Sequence, residues 1–203
     1  MARIDRAEKA ARLTGIVPAA AASAMALRGL AAARQQPVGR TTGTPYRRIP
    51  LIVYLVAGSI YTGLSVKGWR PVPVRLPTWA RCLCTVAGLS LYSAGMGFVF
   101  SGRLALGRMY NLSSATGAEL FANHQLVTTG PFRWVRHPMY FGALLAGAGA
   151  LLLYRTWTMV FICLHLPVFC IRARREEEVL EQEFGDEWRK YRAQVPAGVP
   201  GLP

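Results

Sequence analysis

Apolar residues form four blocks along the 203-residue chain, and most charged residues lie between these blocks. The blocks are residues 49–66, 82–100, 139–154 and 157–171. A helix needs roughly 20 residues, within a range of about 17–25, to cross the hydrocarbon core of a bilayer. We therefore predict that the first two blocks span a membrane.

The last two blocks are shorter and are separated only by Arg155 and Thr156. This arrangement predicts a tight helical hairpin that turns near these two residues. Gly142, Ala146 and Ala150 recur every four residues in the first hairpin helix. Small residues at this spacing allow helices to pack closely in membranes, so we expect them to bring the two hairpin helices together.

Residues 14–33 are also apolar, but they contain Arg28. As a membrane span, this segment would hold a charge that costs ~2.5–3.5 kcal/mol to insert at the helix centre. As a helix in the membrane interface, it would let Arg28 and Arg34 reach lipid headgroups. Both interpretations stay open at this point. The expected fold class is all-α with no sheet: a polytopic membrane helix bundle of four to five spans, ending in the hairpin and a cytosolic C-terminal helix.

The hairpin returns the chain to the side that it left, so residues 101–138 and 172–203 should share one compartment. Together they contain ten basic residues, whereas the hairpin turn has Arg155 alone. Cytoplasmic segments of membrane proteins are enriched in Lys and Arg, so the shared side is predicted to be cytosolic. The membrane would be the plasma membrane of a bacterium or the endoplasmic reticulum of a eukaryote.

The composition supports a membrane protein and disfavours a nucleic-acid-binding one. The formal net charge is +14, and charged residues make up 17% of the chain, below the ~25% of soluble domains. A nucleic-acid-binding protein would carry its basic residues on one soluble face. Here they flank apolar blocks, an arrangement that anionic lipid headgroups favour. The four cysteines lie in apolar runs and indicate buried hydrophobic positions, with neither a disulfide framework nor a metal site expected.

Two polar segments on the shared side, residues 124–140 and 172–188, carry the candidate chemistry. Pro138 suits the first turn of a helix, which places His137 at the N-terminus of that helix. Backbone N–H groups at such an end favour anions.

A simpler role for these residues stays open as well. The first segment could be a membrane anchor of basic and aromatic side chains, formed by Phe132, Arg133, Trp134, Arg136, His137 and Tyr140. Arg172 and Glu176, one helical turn apart, would then be an exposed ion pair worth ~0.2–0.5 kcal/mol.

The order of short motifs changes this balance. Residues 126–140 read Leu-Val-Thr-Thr-Gly-Pro-Phe-Arg-Trp-Val-Arg-His-Pro-Met-Tyr, and the hairpin follows. Glu-Glu-x-x-Leu then stands at residues 176–180, and Phe-Gly-x-x-Trp-x-x-Tyr at residues 184–191. With Leu-Gly-Arg at residues 106–108, this order resembles the isoprenylcysteine carboxyl methyltransferase family, whose wider group includes membrane phospholipid methyltransferases.

The resemblance covers roughly residues 101–203, whereas residues 1–80 match no motif. It implies two parts of the chain. Residues 1–100 would supply N-terminal membrane segments, with residues 1–48 unassigned, and residues 101–203 would form a cofactor-binding catalytic region.

The resemblance also implies a methyl donor, S-adenosylmethionine, and the residues that contact it. These are His124, Leu126, Val127, Phe132, His137, Pro138, Met139, Tyr140 and Glu176. Arg172 would be the catalytic and substrate-binding residue. Phe132 stands where the eukaryotic enzymes commonly have tyrosine, so a hydroxyl contact at that position is lost. No Gly-x-Gly-x-x-Gly turn follows a strand-like segment, which disfavours a Rossmann-type methyltransferase.

Carboxyl O-methylation of an isoprenylcysteine-like, lipophilic substrate is the leading hypothesis. A carboxylate acceptor needs a cation such as Arg172 to hold it, but no general base. An amine acceptor would need deprotonation, by a histidine or Glu177. The alternatives are phospholipid N-methylation, small-thiol S-methylation and, in another class, a non-catalytic membrane protein. The expected partners are a lipophilic or small methyl acceptor and membrane lipids, with no nucleic acid.

Overall fold

The computed structural model describes residues 2–33, 35–44, 50–111 and 116–202. Arg34 and Ile49, which take part in the predictions above, lie outside these ranges. Within them the helices are α1 (Ala2–Ala33), α2 (Leu51–Lys67), α3 (Thr78–Leu106), α4 (Pro138–Tyr154), α5 (Trp157–His165), α6 (Val168–Phe184) and α7 (Asp186–Gln194). Two strands are described, β1 (Val38–Gly43) and β2 (Gly117–Phe121), and two 3-10 turns, Gly107–Met109 and Gly130–Arg133.

The chain is a mostly helical membrane protein. Among the described residues, three helical stretches are long and apolar enough to cross a bilayer, namely Asp5–Ala33, Thr78–Met109 and Trp157–Phe184. The second of these contains the predicted block at residues 82–100. The helix α4 is apolar but shorter, and α2 has 17 residues, the lower end of the length that spans a bilayer.

Two helices meet at the predicted turn, and the second of them ends at His165 instead of continuing to residue 171. The helices α4 and α5 are joined at Arg155, which adopts a left-handed conformation with φ 51°. Thr156 caps α5, because its hydroxyl accepts a hydrogen bond from the backbone N–H of Met159 at 3.4 Å. After α5, Pro167 interrupts the helix because it has no backbone N–H, and α6 continues in the direction of the candidate site.

The small residues of α4 pack against α3. A Cβ atom at Gly95 of α3 would lie only 2.4 Å from the backbone nitrogen of Ala146 and 2.5 Å from the carbonyl oxygen of Gly142. Ala146 and Ala150 belong to a buried cluster with Tyr92 of α3. The expectation that these residues join the two hairpin helices was wrong, because α3 presents its own glycine to this stripe and allows the closer approach.

The helix α1 runs lengthwise along the bundle. Near its N-terminus, Glu8 forms an ion pair with Arg155 at the hairpin turn. Near its C-terminus, Gly29 packs against Tyr110, at the opposite end of α3. This course, together with its length and apolar composition, makes α1 a candidate membrane span. Arg28 lies exposed close to the C-terminal end of the helix.

The prediction of a bundle with no sheet was wrong. The strands β1 and β2 pair antiparallel, with Thr41 opposite Glu119 and Gly43 opposite Gly117. β1 reads Val-Gly-Arg-Thr-Thr-Gly and lacks the regular apolar alternation by which a strand is recognised in a sequence. All five residues of β2 are buried, and the strand packs on Val179 of α6. It thereby forms one wall of the site described next.

Candidate functional site

The two polar segments lie together at one end of the bundle, as predicted. They line a cavity with about 970 Å³ of empty space, a volume that includes its open mouth. All ten predicted site residues line it: His124, Leu126, Val127, Phe132, His137, Pro138, Met139, Tyr140, Arg172 and Glu176.

A turn and a helix start position the first segment. Gly130 has a positive φ of 62°, a conformation that glycine adopts without strain, and it opens the 3-10 turn that buries Pro131 and Phe132. Pro138 begins α4, as predicted. The C-terminal tail then closes over the motif, because the backbone N–H of His137 donates to the carbonyl of Ala197 at 3.2 Å.

A buried charge network joins the two segments. Oε1 of Glu177 accepts from Nε of Arg136 and lies near Nε2 of His137, both at 3.0 Å. All three residues are buried. The membrane-anchor interpretation requires Arg136 and His137 to face lipid headgroups, and their burial contradicts it. Sequence reasoning did not include Arg136 and Glu177 among the site residues, although both stand inside the quoted motifs.

The same histidine also contacts the second carboxylate. Nδ1 of His137 lies 3.6 Å from Oε2 of Glu176, and the Tyr140 hydroxyl donates to Oε1 of Glu176 at 2.5 Å. Burial alone would lower the pKa of His137, but the hydrogen bonds and negative charges of Glu176 and Glu177 outweigh burial and raise that pKa. The His137 ring is therefore stabilised in its protonated form.

Aromatic rings surround Arg172. Its guanidinium carbon lies 5.5 Å from the ring centroid of Tyr140 and 5.9 Å from that of Phe169. These two rings stack on each other with centroids 5.1 Å apart. Cation–π contacts of this kind hold the guanidinium against the two rings.

Two side chains that line the cavity have a buried polar atom without a hydrogen-bond partner among the described residues. These atoms are Nδ1 of His124 and Nε1 of Trp188. Burial lowers the pKa of His124, which keeps its imidazole neutral and able to accept or donate. A buried polar group without a partner costs free energy, so these atoms are suited to a polar ligand.

The cavity also contains residues that sequence reasoning did not assign. They include Tyr110, Asn111 and Glu119 on the side of β2, and Trp188 and Tyr191 of α7. Glu119 carried one signal, since it is the only acidic residue between Lys9 and Arg175. Within the described ranges, no three His, Cys, Asp or Glu side chains cluster in a way that would hold a metal ion.

The chain belongs to the phospholipid methyltransferase family, because the profile of that family matches residues 83–187, just over half of the chain. Among characterised relatives, it is similar to the protein-S-isoprenylcysteine O-methyltransferases of three organisms. The Schizosaccharomyces pombe protein is 36% identical over 83 residues, which are 40% of this chain and 35% of the relative. The Saccharomyces cerevisiae protein is 32% identical over 121 residues, 58% of this chain and 49% of the relative. The mouse protein is 32% identical over 92 residues, 44% of this chain and 32% of the relative.

These matches span about a third to a half of the length of the relatives. A solved structure also shares the fold, that of the eukaryotic intramembrane Ras methyltransferase, isoprenylcysteine carboxyl methyltransferase. It superposes with a TM-score of 0.53 and 22% sequence identity, over 72% of this chain and 53% of that one.

Proposed function

We propose that this protein is an integral membrane methyltransferase that uses S-adenosylmethionine to methylate the carboxylate of a lipophilic, isoprenylcysteine-like acceptor. The observation that carries the proposal is the convergence of all ten predicted site residues on one cavity, to which α4, α6 and α7 all contribute. The part of the chain that the family profile matches, residues 83–187, includes all ten.

The cavity fits the methyl donor. S-adenosylmethionine, when bound, supplies an activated methyl group on a sulfonium. Glu176 offers a carboxylate to its ribose diol or ammonium group, and His137, which lies between Glu176 and Glu177, helps to hold that carboxylate in place. The unpartnered Nδ1 of His124 and Nε1 of Trp188 would gain hydrogen bonds. Phe132 provides a ring, without the tyrosine hydroxyl, for packing on the adenine.

Arg172 would hold the acceptor. Its planar guanidinium binds a carboxylate through two parallel hydrogen bonds, and its place on the Tyr140 ring, 5.5 Å from the centroid, fixes that geometry. Because α6 places Glu176 one turn after Arg172, the acceptor and donor sites adjoin. A carboxylate is already ionised at neutral pH, so the chain needs to orient it and exclude water, without removing a proton.

The same proposal assigns a membrane topology. In it α1, α2, α3, α4 and the α5–α6 pair cross the membrane in turn, so the N-terminus lies with the hairpin turn and the site lies on the other face. The basic residues near the site support a cytosolic location for that face. Cysteine accessibility at exposed positions on either face, probed with an impermeant maleimide in intact cells, tests this assignment.

Phospholipid N-methylation is the second candidate, because the matching family profile is that of the phospholipid methyltransferases. It requires a base for the headgroup amine. Glu177 is a poor candidate base, since its Oε1 already lies 3.0 Å from both Arg136 and His137.

Two measurements test the proposal. Calorimetric titration of the purified protein with S-adenosylhomocysteine should show binding, and Glu176→Gln should weaken it by about 1–3 kcal/mol, the cost of losing a hydrogen-bonded charge. Glu178→Gln is the matched control, because Glu178 lies exposed on the same helix and pairs with Arg175. Binding that is absent in the wild type, or equal in both variants, would contradict the assigned donor site.

A further inference from the structure

Tyr110 is a cavity residue that lies outside the motifs quoted above. It follows the 3-10 turn Gly107–Met109 at the end of α3, and it is 7% exposed. The guanidinium of Arg103, two turns earlier on α3, lies over its ring at 4.2 Å from the centroid. This contact holds one face of the ring against a cation.

The helix α1 fixes the edge of the same ring. A Cβ atom added at Gly29 would lie 2.6 Å from both Cδ1 and Cε1 of Tyr110, and 3.0 Å from Nη2 of Arg103. Only a residue without a side chain therefore allows α1 to approach this closely. Gly29 lies outside residues 83–187, the part of the chain that the family profile matches, so this clamp is contributed by the N-terminal region.

Tyr110 lines the same cavity as Arg172 and Glu176 of α6, and its phenol lies within electrostatic reach of both. Burial raises the pKa of Tyr110, the positive charges of Arg103 and Arg172 act in the opposite direction, and the negative charge of Glu176 adds to the rise. The phenol therefore stays neutral at neutral pH, with an O–H to donate. Tyr110 reaches the cavity from the end of α3, whereas Arg172 reaches it from α6.

We propose that Tyr110 is an acceptor-binding residue, whose hydroxyl donates to the same acceptor carboxylate that Arg172 binds. The backbone of α1 at Gly29 positions the ring for this contact. The inference rests on the proposed function, and it assigns acceptor selectivity in part to the N-terminal helix. Two donors on different walls, one cationic and one neutral, would favour a carboxylate over a neutral amide of the same size.

The first test is Tyr110→Phe, which keeps the ring and removes only the hydroxyl. The probes are N-acetyl-S-farnesylcysteine, its C-terminal amide and S-adenosylhomocysteine. We expect KM for the acid to rise about 10- to 100-fold, the loss of one hydrogen bond to a charged group. The preference of the site for acid over amide, measured by competition, should fall by a similar factor. Affinity for S-adenosylhomocysteine should stay within about twofold of the wild type, which also reports that the variant is folded.

The second test uses a matched pair in α1. Gly29→Ala pushes a methyl group into Tyr110 and should raise KM for the acid. Gly15→Ala places the same methyl group 2.5 Å from the hydroxyl oxygen of Tyr154, a clash of the same size far from the cavity, and should leave KM unchanged.

The outcomes of these tests distinguish the role of Tyr110 from the proposed function on which it rests. Wild-type protein that fails to bind S-adenosylhomocysteine would count against the proposed function itself. Normal donor binding with an unchanged KM and acid preference in Tyr110→Phe would overturn only the role of Tyr110. Loss of donor binding in that variant would also overturn it, because the hydroxyl would then belong to the donor site.

Discussion

His137 and Glu177 are in direct contact, with Nε2 of the histidine 3.0 Å from Oε1 of the carboxylate and both side chains buried. Arg136, the neighbour of His137, lies 3.0 Å from the same oxygen. One carboxylate of α6 thus pairs with two basic side chains from the segment that precedes α4. This contact ties together the two polar segments that line the cavity.

Glu177→Gln should therefore destabilise the fold strongly. The change leaves the buried Arg136 guanidinium, which is 4% exposed, without its counter-charge, and breaking a buried ion pair in this way costs about 3–5 kcal/mol. Chemical denaturation in detergent micelles measures the loss. Glu178→Gln should change the free energy of unfolding by less than ~1 kcal/mol, because Glu178 forms an exposed pair with Arg175. Equal effects in the two variants would show that the Glu177 network does not stabilise the fold.

The raised pKa of His137 predicts a pH dependence of stability. A histidine whose pKa is raised in the folded state stabilises the fold fully below its ordinary value of 6.5, and this contribution is lost as the pH rises through the raised pKa. The difference in the free energy of unfolding between the wild type and His137→Gln should therefore become smaller as the pH rises above 6.5. His124 should show the opposite trend against His124→Gln, since burial lowers its pKa and its contribution is lost as the pH falls. A pH-independent difference for His137 would contradict a raised pKa of this residue in the folded protein.

The close contact of α3 with α4 predicts a sharp difference between two neighbouring glycines. Gly95→Ala places a Cβ atom 2.4 Å from the backbone of Ala146, whereas Gly97→Ala meets nothing within 4 Å. Forcing extra atoms into a packed contact costs about 1–3 kcal/mol, while alanine in place of glycine favours a helix by up to ~1 kcal/mol. Gly95→Ala should therefore lower the thermal midpoint and Gly97→Ala should not. Thermal unfolding of both variants in the same detergent tests this prediction. An equal drop in the thermal midpoint of the two variants would contradict the close contact between α3 and α4.

Much of this architecture could be predicted from the order of apolar and polar residues. The break at Arg155 and Thr156 located the hairpin turn, because two polar residues between apolar blocks leave few other folds in a bilayer. The motif order around that turn located the cavity, and His137, Arg172 and Glu176 all line it.

The remaining features depend on contacts that no local pattern encodes. β1 pairs with a strand more than 70 residues later, and its glycines and threonines carry no alternation. The stripe that contains Gly142 is equally suited to α3 and to α5, so its spacing alone does not select a partner. Tyr110 enters the cavity wall only because α1 passes at Gly29, and such an approach is visible only in three dimensions.

Arg172→Lys distinguishes the possible acceptors. Lysine keeps the charge of Arg172 but cannot reproduce the planar fork that binds a carboxylate through two hydrogen bonds, and it stacks less well on Tyr140. If the acceptor is a carboxylate, turnover of a prenylcysteine should fall about tenfold or more, equivalent to ~1.4 kcal/mol of lost transition-state stabilisation, while affinity for S-adenosylhomocysteine stays nearly unchanged. Arg175→Lys serves as the control, because Arg175 lies exposed on the same helix. Methyl incorporation should be measured with a prenylcysteine, a phosphatidylethanolamine and a small thiol for the wild type and both variants. Methyl transfer to the amine or thiol alone, at a rate that Arg172→Lys does not change, would exclude a carboxylate acceptor. The proposal that the protein is a methyltransferase would still hold.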